Sequence, residues 1–128
     1  MINRSEQLKE ILSKLVGENS SDIAGVVVVG SDGIVMASQM IGGTNIDRVG
    51  AITATMQGVT SRVAGELKIG DTEEVIVRSV QGYLLVMPVS SMIVLSLTLR
   101  QGANLGMVRL EAAAAGKSIA AVMHGIAN

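Results

Sequence analysis

The chain has 128 residues, with ten Lys and Arg against eleven Asp and Glu for a net charge of -1; this length gives one domain, residues 1–128, with a core of its own, and so flat a balance lacks the basic stripe of a nucleic-acid protein. Apolar types make up 48% of residues and charged types 16%, which excludes a disordered chain and leaves apolar surface over for a partner. With no Cys, one His, no Trp or Phe and one Tyr, disulfides, thiolate catalysis, multi-His metal sites and base-stacking platforms are excluded.

Met1 to Gly17 is predicted as a helix. Leu8, Ile11, Leu12, Leu15 and Val16 recur at helical spacing, Asn3 or Ser5 caps the start and Gly17 the end. Its interspersed charges exclude a signal-peptide core. Ile23–Val29 reads as a strand, Gly30-Ser31-Asp32-Gly33 as a turn and Ile34–Ser38 as the returning arm of a hairpin. A second helix is expected over Ile46–Leu67, capped by Thr44 or Asn45. Three strands follow: Thr72–Val80, Tyr83–Met87 ended by Pro88, and Met92–Leu99. Ser90-Ser91 lacks the Gly of a tight hairpin, so that turn is expected to be longer. Gly102 and Asn104 open a last helix, along which Leu105, Val108, Ala112, Ala115, Ile119, Val122 and Ile126 step three and four.

The order is αββαβββα, an α+β arrangement. Val26–Val29, Leu84–Val86 and Ile93–Leu95 are apolar on consecutive positions, so helices must cover both faces of a largely antiparallel sheet. Glu73, Glu74, Arg78 and Ser79 break the apolar run of Thr72–Val80, which marks an edge strand. The longest apolar runs are far short of a membrane span, so no membrane insertion is expected and the setting is read as cytoplasmic.

Candidate chemistry is thin. Gly116-Lys117-Ser118 resembles the end of a phosphate loop, but Glu111 stands where the first Gly belongs and four alanines favour helix between them. No Ser has the surroundings of a nucleophile elbow to pair with His124. Glu73 and Glu74 are adjacent on a strand and point to opposite faces. Met36, Met56, Met87 and Met92 read as core filler. No catalytic residue, metal site or cofactor is expected.

The middle helix resists a bland reading. Val49, Ile52, Met56, Val59, Val63 and Leu67 form one apolar face, expected to pack in the core. Almost opposite lie Gly50, Ala51, Ala54, Gly58, Ser61 and Gly65. Each helical Gly costs about 1 kcal/mol relative to Ala, and small residues four apart let another backbone come close. Gly50, Ala54, Gly58, Ser61 and Gly65 are therefore candidates for an interface. If two edge strands pair antiparallel about a two-fold at Ile76, Glu74 of one copy faces Arg78 of the other, twice.

Ile23-Ala24-Gly25-Val26-Val27-Val28-Val29 with Ser31-Asp32-Gly33-Ile34-Val35-Met36-Ala37-Ser38, the small-residue helix from Asp47 to Leu67, Gly82-Tyr83-Leu84-Leu85-Val86-Met87-Pro88 and Asn104-Leu105-Gly106-Met107-Val108-Arg109-Leu110-Glu111-Ala112 together resemble the Roadblock family of small-GTPase regulators, MglB-type proteins included. The resemblance implies a five-stranded antiparallel sheet with one helix on one face and two on the other. It also implies a homodimer through the third strand and middle helix, and a small Ras-like GTPase as partner. Arg48, Ala51, Gln57 and Arg62 border the small-residue face and are candidates for contacting that GTPase. Stimulation of hydrolysis would come from positioning the GTPase's own groups. The alternative reading is a structural subunit or small-ligand sensor of profilin-like or longin-like architecture, which requires a pocket with convergent polar groups.

Overall fold

The computed structural model describes residues 2–40 and 42–125. Met1 and Ile126, assigned above to the first and last helices, lie outside the described residues. The elements are α1 (Arg4–Glu18), β1 (Ile23–Gly30), β2 (Val35–Met40), α2 (Ile46–Glu66), β3 (Val75–Ser79), β4 (Gly82–Ser90), β5 (Ile93–Arg100) and α3 (Leu105–Gly125). The order αββαβββα is borne out. One sheet runs β2-β1-β5-β4-β3 with every neighbouring pair antiparallel.

Three asparagines begin the three helices. The Oδ1 of Asn3, Asn45 and Asn104 accepts from the N–H of Glu6, Arg48 and Met107, three residues on in each case. Gly17 does not end α1. The helix closes on Asn19, whose Nδ2 donates to the Leu15 carbonyl at 2.9 Å.

The sheet is buried on both faces, as its unbroken apolar strands demand. On one face Val26, Val28, Leu85, Leu95, Leu97 and Leu99 pack with Leu8, Leu12 and Leu15 of α1 and Val108, Ala112 and Ile119 of α3. The alternate residues Val27, Val29, Val86 and Val94 are also buried and face α2. Cross-strand rows on that face read Val29–Val94–Pro88, then Val27–Ser96–Val86–Val75, then Gly25–Thr98–Leu84–Val77. In the third row Thr98 and Val77 are exposed and Leu84 is half-buried, so α2 covers only one end of its face. Tyr83 lies on the α1/α3 face, between Leu99 of β5 and Arg78 of β3.

Several boundaries move. Strand β3 begins at Val75, because Lys68 (φ 55°) and Gly70 (φ 95°) turn the chain after α2 and ladder pairing starts only at Val75–Val86. Strand β4 continues through Pro88 to Ser90, with the register slipping between those two residues. A bulge is where a ladder tolerates a residue without N–H. In place of a turn glycine, the Ser90 hydroxyl accepts from the Met92 N–H at 3.2 Å. Met92 is exposed at that turn instead of filling the core, whereas Met36 and Met87 do pack against it.

Candidate interaction surface

The orientation of α2 decides what this molecule can present. The wheel placed its apolar side in the core and its small side outward; the helix is rolled away from that expectation. Gly50, Thr53 and Ala64 are the buried positions. Gly50 lies against the β1–β2 hairpin: a Cβ built there falls 2.7 Å from Val35 Cγ2 and 3.0 Å from the Gly33 carbonyl oxygen. Only a residue without Cβ allows this approach. Gly50 is thus occupied within its own chain and is withdrawn as an interface residue. Ala54, Gly58, Ser61 and Gly65 flank a cavity between α2 and the turns at that end of the sheet. Gly58 and Gly65 have nothing within 4 Å of a built Cβ, so no packing within the chain requires glycine at either.

The opposite flank of α2 carries the apolar stripe, and most of it is bare, with Val49 and Met56 half-buried. Ile52 is 52% exposed, Val59 58%, Val63 52% and Leu67 62%. Shallow grooves run along it between Ile52 and Val59 and between Val59 and Leu67. The stripe lies on the same side of the sheet as the uncovered third row, where Val77 of the edge strand is exposed; Ile76, also exposed, pairs with Leu85 and faces the other side. Exposed apolar side chains grouped in this way mark an interaction surface. Hydrophobic periodicity found the stripe but could not say which surface buries it.

Of the remaining candidates, Arg48, Ala51 and Arg62 are exposed on the crest of α2 turned away from the sheet. Gln57 is not on that crest. It turns toward the cavity, where its Nε2 donates to Ser61 Oγ at 3.3 Å. Strand β3 occupies the sheet edge, with Ile76 and Arg78 exposed. Glu74 precedes the strand and is already engaged: Arg109 of α3 forms a salt bridge with it and donates from Nε to Oε2 at 3.0 Å.

Gly116-Lys117-Ser118 lies inside α3, with the Ser118 hydroxyl donating to the Ala114 carbonyl at 3.3 Å. A helical backbone there spends its N–H groups on helix bonds and forms no anion nest. His124 is exposed in the last turn of α3. Among the described residues, no three His, Asp or Glu side chains gather as metal ligands, and no helix is long and apolar enough to cross a membrane.

A family model for the Roadblock/LC7 domain matches residues 8–98. An uncharacterized protein of Methanocaldococcus jannaschii is 33% identical over 100 residues, covering 78% of this chain and 87% of the relative. Among solved structures, MglB of Myxococcus xanthus superposes with a TM-score of 0.89 at 15% identity, covering 98% of this chain and 93% of that one. An MglB described as having a tetrameric arrangement superposes with a TM-score of 0.86 at 19% identity, covering 95% of this chain and 91% of the other.

Proposed function

This chain belongs to the Roadblock/LC7 domain family, and we propose that it works as a homodimeric regulator or scaffold holding a small Ras-like GTPase in the cytoplasm, with no catalytic group of its own. One observation carries the reading: the apolar flank of α2, Ile52 to Leu67, is exposed beside the free edge of β3. A chain with apolar side chains grouped on a helix flank and an unpaired strand next to them is built to meet another surface.

A second copy supplies the first such surface. Antiparallel pairing of β3 about Ile76 gives a single ten-stranded sheet and brings the two α2 helices onto one side of it. Each Glu74, held by Arg109 of its own chain, then meets Arg78 of the other copy. The contact is isologous and closes on itself. The tetrameric arrangement described for one MglB shows that a chain of this fold can self-associate, which supports the pairing here.

The GTPase is assigned to the crests of the paired α2 helices, where Arg48, Ala51 and Arg62 are exposed. Arginines at these positions suit an acidic or phosphate-bearing partner surface. Stimulation of hydrolysis would follow from holding the GTPase's own residues in place. The test is light scattering followed by co-elution with Ras-like GTPases loaded with GDP or a GTP analogue. A mass twice the 13.2 kDa of the chain and nucleotide-dependent co-elution are expected. A monomer, or a dimer that captures no GTPase in either state, overturns the proposal.

A further inference from the structure

Helix α2 sits on its sheet with the wrong side down. Of its 21 residues only Gly50, Thr53 and Ala64 are buried, and none of them is a large apolar residue. Its C-terminal half packs loosely, leaving an open trough of about 660 Å³ between Ala64 and the sheet residues Pro88 and Val94, whereas protein interiors are close-packed. Gln57 Oε1 is buried without a hydrogen-bond partner among the described residues, which destabilises this seat. Meanwhile Ile52, Val59 and Val63 each stand more than half exposed, and burying them would stabilise the chain.

At about 100° per residue, the stripe lies roughly a third of a turn from the line Gly50, Thr53, Gln57, Ala64. A roll of that size lays Ile52, Met56, Val59 and Val63 over Val27, Val29, Val86 and Val94 of the sheet. It carries Gln57 into water and leaves Ala54, Ser61 and Gly65 as the outer side. That is the seating which the hydrophobic pattern of the sequence describes. The connectors permit it: Gly42-Gly43 precede α2 and Gly70 follows it, and a Cβ built on any of the three meets nothing within 4 Å. Against it stands the contact of Gly50 with Val35 and the Gly33 carbonyl, which exists only in the present seat. We propose that α2 has two seats: the present one, kept while a second surface covers the stripe, and a rolled one, taken by the free chain, in which the stripe is buried on the chain's own sheet. The proposal rests on the reading above in naming a second copy as that cover. A second copy binds only the seat that shows the stripe, so pairing shifts the population toward it. The roll also takes Arg48, Ala51 and Arg62 off the crest, so the free chain presents no GTPase surface and self-association creates one.

The chain has no Cys, so a single introduced thiol reports its own position. Ala64→Cys and Val63→Cys are neighbours in sequence that exchange places in the roll: Ala64 is 7% exposed in the present seat and Val63 52%. The experiment is maleimide labelling of each full-length variant over a dilution series, with light scattering to report the mass at each concentration. Val27→Cys, at a position fully buried in either seat, controls for global unfolding and should label slowly throughout. Dilution from dimer to monomer should quicken labelling of Ala64→Cys by about tenfold or more. Val63→Cys should stay slow, covered first by the second copy and then by the sheet. The proposal fails if Ala64→Cys stays protected in the monomer. It also fails if both thiols quicken together, since α2 then detaches instead of rolling. A chain that is monomeric at every concentration defeats the dimer reading alone. Labelling of that monomer still decides the seat, with fast Ala64→Cys and slow Val63→Cys upholding the roll and the reverse order overturning it.

Discussion

Gly50, Gly58 and Gly65 stand on one helix yet answer to different physics. The first allows α2 to rest on the Gly33 carbonyl and Val35, while the other two face open space. Replacing Gly50 with Leu overpacks that contact and should destabilise the fold by about 1–3 kcal/mol. Gly58→Ala and Gly65→Ala should each stabilise it by about 1 kcal/mol, since Ala only gains helix propensity there. Urea denaturation of the three variants at one fixed concentration gives both signs. From the sequence these glycines looked alike, because a helical wheel records small side chains but not the backbone that one of them must touch. The roll of α2 escaped for the same reason. A stripe reserved for an interface has the composition of a stripe bound for a core, and Ile52, Val59 and Val63 match either description.

Elements were more legible than faces. Strand runs without alternation announced a sheet covered twice, and three Asn residues marked three helix starts. Strand ends were hidden where pairing overrode local preference. Pro88 sits inside β4 because a bulge accommodates it, and Thr72–Glu74 falls out of β3 because the turn after α2 leaves it unpaired. The broken apolar pattern did identify β3 as an edge. On the proposed pairing about Ile76, cross-strand ion pairs contribute about 0.2–1 kcal/mol each. Arg78→Glu sets like charges opposite one another at two symmetric places, and sedimentation should show the dimer dissociation constant rising several-fold. Arg109→Ala removes the intrachain partner of Glu74. With Arg109 49% and Glu74 20% exposed, solvent screening limits the loss of monomer stability to about 1 kcal/mol or less.

For the whole molecule, the proposed interface rests on one flank of one helix, which the core does not use. The double substitution Val59→Asp, Val63→Asp puts charge on side chains that are already solvated. Secondary structure by circular dichroism should therefore be retained, while light scattering reports a single chain and GTPase capture is lost. Retained capture by this variant would place the partner elsewhere. The doubly covered sheet gives that flank a platform: α1 and α3 pack on the face opposite α2.

With no Trp and one Tyr, the molecule has a single intrinsic fluorophore, and the ladder sets it beside Arg78 on the margin where copies are proposed to join. Its emission and anisotropy therefore serve as an unlabelled optical gauge of that seam. Dilution curves read from this one phenol would follow the coming apart of two chains without any dye, tag or engineered probe disturbing the strand under observation.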